Sequence, residues 1–319
     1  MFLHFNPLFS FSALEANPAA LNEHLPAQVR VFGIKRVTKG FNSKNSCDGR
    51  TYSYTCPTFA FAPSNVTPSE EYRIDAETLA NVNKILKMYQ GTRCYYNFTS
   101  KRRPNDPSCN RHMKSVFCKE PYEMDGLELV EVTVFGQSFM LHQIRKMVGL
   151  VMAIARGLTP VETMTKAWQS SQKIDIPIAP GLGLILEQVH YDSYNKRYST
   201  DGIHGSLDWH ELESEIQEFK TKVLIPHIVK TEKEEKPMLR FITEDLTQHT
   251  YDVMESSEAN EVDGLMALGE AANIIELEDK SNNHSYLHDN LNTLAQAAQS
   301  VSPEKVNVKS GNSEQKPLS

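Results

Sequence analysis

Hydrophobic residues recur along the chain in two patterns, an alternation typical of strands and a spacing of three to four residues typical of helices. The strand segments are rich in β-branched and aromatic residues; they are residues 29–37, 50–61, 127–135 and 182–191. The strand over 127–135 has Val130, Val132 and Val134 on one side. The helical segments are residues 75–90, 138–156, a helix opened by Thr159, Pro160 and Glu162, and residues 208–223. In the first of these helices Asp75 is the expected cap, and one face carries Leu79, Val82, Ile85, Leu86 and Tyr89. Because these segments do not follow a strict strand–helix–strand order, the sequence predicts an α+β fold, with a largely antiparallel sheet flanked by helices.

The regular spacing of hydrophobic residues ends at about Arg240, and the chain becomes acidic beyond that point. The whole chain of 319 residues has a net charge of -7. Residues 241–319 hold 14 acidic and 4 basic residues, whereas residues 1–240 hold 29 basic and 26 acidic residues, a net charge of +3. We therefore expect a mildly basic body, suited to a polyanionic partner, and an acidic, disordered tail over residues 241–319.

Composition narrows the class of protein. The chain is 40% hydrophobic but contains no apolar run of about 18 residues, so an integral membrane protein is not expected. Its five cysteines include no Cys-x-x-Cys pair and no set with zinc-ligand spacing. This favours reduced thiols in the cytosol or nucleus over a disulfide framework, and predicts no metal site.

Residues 50–54 are the first candidate for a functional site. On a strand, Arg50, Tyr52 and Tyr54 lie on one face, where they could line a site for a flat, hydroxylated ligand such as a nucleoside. The alternative is that both tyrosines are ordinary half-buried core aromatics.

The second candidate is the helix predicted within residues 137–156. Its apolar stripe consists of Met140, Ile144, Met147, Val148, Val151 and Ile154. The opposite side carries His142, Arg145, Lys146, Gly149 and Arg156. This opposite side suits a cleft that binds a polyanion, but a solvated outer face explains the pattern equally well.

A third candidate is the basic stretch of residues 93–103. Its aromatic residues are interleaved with arginines and end in Lys101, Arg102 and Arg103. Phosphate contact and base stacking are the two main contributions to single-stranded RNA binding, so this stretch suits RNA. A solvated charged loop is the alternative.

Several short motifs, in this order along the chain, resemble those of the TruA-type pseudouridine synthases. They are FNSKN at 41–45, RTYSY at 50–54, NFT at 97–99, GQSFMLHQIRKMVG at 136–149 and APGLGL at 179–184. The resemblance covers about residues 20–240 and leaves residues 1–19 unmatched, which implies a catalytic domain over 20–240. It implies the pseudouridine synthase fold and an isomerase that converts uridine to pseudouridine in tRNA, and in some mRNA and small nuclear RNA, without a cofactor.

The resemblance also implies roles for individual residues. Tyr52 would lie against the flipped uracil and help move a proton, and Arg145 would pair with the nucleophilic aspartate of the family. Contacts to RNA phosphates or sugars are expected from Arg50, Lys101, Arg102, Arg103, His142 and Lys146. A nuclear location is expected, with the mitochondrion or cytoplasm as alternatives; the oligomeric state is left open.

The sequence departs from the family pattern at the nucleophile. The family carries its aspartate in a Gly-Arg-Thr-Asp motif ahead of the RTYSY strand, and no Arg-Thr-Asp occurs here. Neither Asp48 nor Asp201 matches that motif. We therefore expect an incomplete N-terminal portion of the fold and no activity from the chain as written. The alternatives are a catalytically silent RNA-binding protein and a nuclear interaction protein that works through its acidic tail.

Overall fold

A computed structural model describes residues 17–100, 102–169 and 171–254. The chain divides into two compact units, whose described parts are residues 17–34 and the rest of the described residues from Lys35 onward. In the smaller unit, helix α1 spans Pro18–Glu23 and Asn17 caps it through a hydrogen bond from the Ala19 N–H. The domain start expected at residue 20 therefore lies inside α1.

Residues 29–37 form no strand, contrary to the sequence prediction. The backbone N–H and C=O of Val31 bond instead to the side-chain amide of Asn22, at 2.8 and 2.9 Å. A short polar side chain near the segment thus provides hydrogen bonds that a strand partner would otherwise supply.

The larger unit is built on a six-stranded sheet in which every pairing is antiparallel. The strands are β1 (Gly49–Pro57), β2 (Gly91–Cys94), β3 (Asn110–Cys118), β4 (Tyr122–Met124), β5 (Leu127–Gly136) and β6 (Leu184–His190). Their order is β2-β3-β5-β1-β6, and β4 pairs with β5. The predicted α+β fold with a largely antiparallel sheet is confirmed.

Seven helices belong to the described part of the larger unit. They are α2 (Ala76–Lys87), α3 (Gln143–Ala155), α4 (Glu162–Ala167), α5 (Asp192–Tyr198), α6 (Glu213–Phe219), α7 (Ile225–Glu235) and α8 (Pro237–Arg240). π-helical turns follow α6 and α8, at Lys220–Leu224 and Phe241–Asp245. Among the residues described, no helix has the length and apolar character needed to cross a membrane.

Helix α2 packs against β3 and against α3, and residues of both helices share the main buried core with residues of the sheet. Asp75 caps α2 as predicted, and the Asn83 side chain exchanges two hydrogen bonds with the backbone of Cys118 on β3. The predicted stripe of α2 is buried, and so is the valine row of β5, at Val130, Val132 and Val134. Residue 131 of β5 consequently faces the other side of the sheet.

Three predicted boundaries and one predicted cap differ clearly from the structure. β1 ends at Pro57, and Thr58–Phe61 is a 3-10 turn. Helix α3 begins at Gln143, because residues 137–142 form a loop that ends with His142 in the left-handed region, at φ 59°. The helix predicted over 208–223 is divided into a 3-10 turn, α6 and a π turn, and its α-helical continuation reaches Glu235.

The fourth difference is the capping role predicted for Thr159. Its hydroxyl bonds to the Thr163 hydroxyl at 2.7 Å, and Val161 occupies the N-cap position of α4 without a side-chain cap.

The packed region also extends beyond Arg240, where the sequence pattern had suggested that the tail begins. Phe241, Ile242, Leu246 and Tyr251 are all buried, and residue Val253 bridges to Ile174. Phe241 and Ile242 begin the second π turn, and Leu246 follows its end. The remainder of the predicted acidic tail, residues 255–319, lies outside the described residues.

Candidate functional site

The two tyrosines of β1 lie in different environments. Tyr54 is fully buried and its hydroxyl donates to the backbone oxygen of Pro180 at 2.6 Å. Tyr52 is half-buried, and its ring meets Phe139 edge-on, with the centroids 5.1 Å apart. Tyr54 is therefore a core residue, whereas Tyr52 is only half-buried and stays a candidate for substrate contact.

Arg145 lies on the first turns of α3 and is bonded to the loop that precedes β6. Its Nε donates to the backbone oxygen of Ala179 at 2.6 Å, and the Ala179 N–H donates to the Arg145 backbone oxygen at 3.2 Å. A Cβ at Gly181 would lie 3.9 Å from Arg145 Cζ. The loop thus anchors the base of a half-buried guanidinium.

The same loop lies directly on β1. The Thr55 N–H donates to the backbone oxygen of Gly183 at 2.9 Å, and a Cβ at Gly183 would lie only 1.9 Å from the Thr55 oxygen. Any side chain at this position would displace the loop from the strand. Three of the segments that resemble the family, 50–54, 136–149 and 179–184, therefore meet around Tyr52, Tyr54 and Arg145.

Asn97 holds a fourth segment in place. Its amide nitrogen donates to the backbone oxygens of Ala167, Gln169 and Gln172 at 3.0–3.2 Å, and its side-chain oxygen accepts from the Ile174 N–H at 2.9 Å. The residue has no exposed surface. Asn97 is thus a structural crosslink between two loops, a role that the sequence motif alone does not reveal.

Burial controls the ionisation of the two tyrosines. Desolvation raises the pKa of Tyr52, and the nearby Arg50 guanidinium offsets part of that rise. Burial raises the pKa of Tyr54 well above its ordinary value, and Arg145 acts in the opposite direction on it. Both phenols are therefore neutral at physiological pH, so that Tyr52 can donate a hydrogen bond.

The predicted RNA-contacting residues are distributed unequally. Arg102 and Arg103 are exposed, and Arg102 pairs with Asp106 at 3.7 Å. Arg50 is half-buried and donates to the Lys44 backbone oxygen at 3.3 Å. His142 is half-buried and precedes α3. Lys101 lies outside the described residues.

The burial of Lys146 differs from the sequence prediction for α3. The helical pattern predicts Lys146 on the side opposite the apolar stripe, facing outward, but Lys146 is only 1% exposed and its Nζ donates to the backbone oxygen of Asn97 at 3.3 Å. Arg156, assigned to the same side, is also buried and donates to the backbone oxygens of Phe59 and Ala62. The reason is that α3 is covered on both sides, as the close approach of Gly149 to the Pro177 oxygen shows. The placement of Lys146 for RNA contact is thus wrong.

Two aspartates that fall near family-like residues serve other purposes. The Asp48 carboxylate accepts from the N–H and hydroxyl of Ser193. Asp201 accepts from the ring of His204 at 2.6 Å and from two backbone N–H groups. These hydrogen bonds lower the pKa of Asp201 to about 2 and engage it in a local turn. Neither aspartate contacts Tyr52 or Arg145 through these bonds.

A buried ion cluster on the opposite face of the sheet was not expected from the sequence. Lys220, on the first π turn, contacts Glu131 of β5 at 2.5 Å and also Glu187 of β6. Lys119 reaches the other oxygen of Glu131 at 2.5 Å, and the hydroxyl of Ser53 donates to Glu187. Ser53 follows Tyr52 directly, so the cluster fixes the strand that carries the candidate site.

The described residues contain no group of three or more metal-ligating side chains. The polar groups of the region around Tyr52 and Arg145 are thus a phenol and a guanidinium next to a hydrogen-bonded loop. Such groups can hold a planar base and orient a carboxylate.

Comparison with known proteins identifies relatives for this arrangement. Residues 85–192 match the family model described as tRNA pseudouridine synthase. "Pseudouridylate synthase 1 homolog" of Mus musculus is 48% identical over 223 residues, which cover 70% of this chain and 52% of the relative. "tRNA pseudouridine synthase 1" of Yarrowia lipolytica is 30% identical over 299 positions, covering 67% of this chain and 56% of the relative. The chain spans about half the length of these relatives.

Proposed function

Because residues 85–192 place this chain in the tRNA pseudouridine synthase family, we propose that it forms part of an active site that isomerises uridine to pseudouridine in tRNA. In that reaction the bond from C1′ to uracil N1 breaks, the base turns, and a bond from C1′ to C5 forms. The C5 hydrogen is lost to solvent and N1 gains a proton. The observation that carries the proposal is the meeting of three motif segments at Tyr52 and Arg145.

Tyr52 is assigned to the target base. A uridine must leave its stack to react, at a cost of a few kcal/mol. The half-buried Tyr52 ring, supported edge-on by Phe139, offers a rigid flat surface that can repay part of this cost. Its raised pKa keeps the hydroxyl protonated, so it can donate to the base or relay a proton.

Arg145 is assigned to the nucleophilic carboxylate. The bond from its Nε to Ala179 orients the guanidinium plane, and an oriented arginine pairs bidentately with a carboxylate. It would hold the carboxylate ionised, and we class it as a positioning residue. This sequence carries no aspartate in the family motif, so activity requires a segment that supplies one.

The RNA would be held by exposed and half-buried basic side chains of the larger unit. We assign phosphate contacts to Arg50, Arg102 and Arg103, and a contact to His142, while Lys101 keeps its predicted role as a sequence-based assignment. tRNA is the proposed main substrate, with mRNA and small nuclear RNA as further ones. We also propose a nuclear location, to be tested by imaging the tagged chain beside nuclear and mitochondrial markers.

The test uses tRNA labelled with tritium at C5 of uridine, because the reaction releases that hydrogen to water. We would compare the chain as printed with a fusion that carries a front segment containing the Gly-Arg-Thr-Asp motif. The fusion should release tritium, whereas the chain alone should bind tRNA without releasing it. In the fusion, Tyr52→Phe should lower the rate by at least about 100-fold, the usual size of a lost proton-transfer group.

Arg145→Met in the same fusion should lower the rate by about 100-fold or more, because the carboxylate loses its partner. Arg197→Met removes an equal charge from an exposed position on α5 and should leave the rate unchanged. A folded, tRNA-bound fusion that releases no tritium would refute the proposed activity. Tritium release by the chain alone would refute the assignment of the missing nucleophile.

A further inference from the structure

Two arginines face each other across the β2–β3 pair. Arg93 lies directly opposite Arg111 in the register of the two strands. Like charges at directly opposed positions destabilise a sheet, and their side chains start only about 5 Å apart. Both residues are half-buried, so solvent screens their repulsion less than it would on an open surface.

Each of the two guanidinium groups is held in place. Arg93 lies over the ring of Trp168, with Cζ 5.0 Å from the centroid, and its Nη1 donates to the Thr92 backbone oxygen at 2.9 Å. Arg111 Nη1 donates to the backbone oxygens of Ser108 and Asn110. Among the described residues, none accepts a hydrogen bond from Nη2 of either arginine. The pair is therefore preorganised and retains donors for a further acceptor.

The surroundings add positive charge. Burial lowers the pKa of Arg111 and the nearby Arg102 lowers it further, while Cys109 and Asp106 raise it. Asp106 also accepts from the Ser108 N–H and pairs with Arg102. The guanidinium groups of Arg102 and Arg111 thus share the influence of one carboxylate. A site of this composition favours an anion that accepts several hydrogen bonds.

The pair is connected to the candidate active site through a continuous set of contacts. Trp168 follows Ala167, whose backbone oxygen accepts from the Asn97 side chain. The backbone oxygen of Asn97 in turn accepts from Lys146, the neighbour of Arg145 on α3. The two arginines therefore belong to the same packed framework as Arg145.

We propose that Arg93 and Arg111 form a clamp that binds one phosphate group of the RNA backbone. This proposal rests on the proposed function, since it assumes that RNA is the substrate. Contacts to a backbone phosphate carry no sequence information, so the clamp binds RNA of any sequence. It differs from the exposed Arg102 and Arg103 in that both its members are fixed before RNA arrives.

The test measures the affinity of the full chain for an unmodified tRNA transcript between 50 and 200 mM salt. Arg93→Gln/Arg111→Gln should weaken binding by about tenfold at 100 mM salt. It should also reduce the slope of log affinity against log salt by about 0.7 to 0.9, the value for one lost phosphate contact. Lys222→Gln/Lys230→Gln removes two charges at positions that are 70% exposed, and should change affinity less than twofold with an unaltered slope.

A charge-conserving variant separates geometry from net charge. Arg93→Lys/Arg111→Lys keeps both charges but lacks the planar fork, so it should lose most of the same affinity. It also provides the decisive comparison if the glutamine variant does not fold. Full affinity in the lysine variant, or a glutamine variant that matches the Lys222/Lys230 control, would overturn the clamp. A parent chain that binds no tRNA would refute the proposed function itself.

Discussion

Replacing Lys220 by methionine would remove the cation at the centre of the buried cluster behind β1. Lys220 is 7% exposed and Glu131 is 6% exposed, so the two carboxylates that Lys220 contacts would lose a partner in a poorly solvated site. Removing one partner of a buried ion pair lowers the free energy of unfolding by about 3 to 5 kcal/mol. Lys119 still neutralises one oxygen of Glu131, which favours the lower end of that range. For a domain of this size the midpoint of thermal unfolding should fall by about 6 to 12 °C.

The cluster also predicts how stability depends on pH. Its lysines lower the pKa of Glu131 against the effect of burial, and its carboxylates raise the pKa of Lys220. The contribution of Glu131 is present above its ordinary pKa of 4.5 and is lost as the pH falls through the lowered folded-state value. That of Lys220 is present below its ordinary pKa of 10.5 and is lost as the pH rises through the raised value. The loss caused by Lys220→Met should therefore be constant at intermediate pH and smaller at both extremes.

Urea and thermal unfolding of the two proteins, followed by circular dichroism at several pH values, would measure this effect. Lys222→Met is the matched control, because Lys222 is 70% exposed and forms only a surface pair with Glu218. It should cost no more than about 0.5 kcal/mol. Equal losses in the two variants, or a loss for Lys220→Met that does not change with pH, would refute the reasoning.

Three further substitutions test other contacts. Asn97→Ala should cost about 2 to 4 kcal/mol in urea unfolding, because it leaves several buried backbone groups without a partner; a loss below 1 kcal/mol would contradict this. Gly183→Ala should prevent soluble expression because its Cβ would meet Thr55, whereas Gly40→Ala, with nothing within 4 Å, should be tolerated. Burial raises the pKa of Glu232, so its carboxylate lowers stability as the pH rises past 4.5. The stability of Glu232→Gln relative to the parent protein should therefore be greater at pH 7 than at pH 4, as measured by thermal unfolding.

Elements with a regular period were predictable from the sequence. The Asp75 cap and the buried stripe of α2 agree with the structure, as does the valine row of β5. In each case one face of an element meets one neighbouring layer, so a single periodicity carries the information.

Other features depend on contacts that no local period records. The stripe predicted on α3 is buried apart from Ile154, which is half-exposed, but Lys146 and Arg156 on its opposite side are buried too. An irregular segment that includes Pro177 covers that side, and such segments have no repeating pattern. The burial of Lys220 could not be predicted from the sequence either, since its partners lie 89 and 33 residues away in the chain.

The candidate site was predictable only in part. Alternation placed Tyr52 and Tyr54 together, but burial separates them, because Tyr54 is fully buried and bonded to the Pro180 loop whereas Tyr52 is half-buried. The opposed arginines of β2 and β3 could be recognised only once the register of the hairpin was known. Sequence patterns thus indicate which residues share a face, while the packing of loops decides which of them remain accessible.

The pairing of β1 has a consequence for synthesis of the chain. β1 contacts only β5 and β6 within the described sheet, and its pairing with β6 joins Gly49 to His190. Domains form largely in the order of synthesis, and pairings this distant in sequence are slow to close. On the ribosome, Tyr52 therefore emerges long before the strands that flank it, and the loop that anchors Arg145 emerges just before β6, the later of those two strands. A nascent chain stopped before about residue 184 would present β1 with one edge open to other polypeptides, so the site becomes complete late in translation.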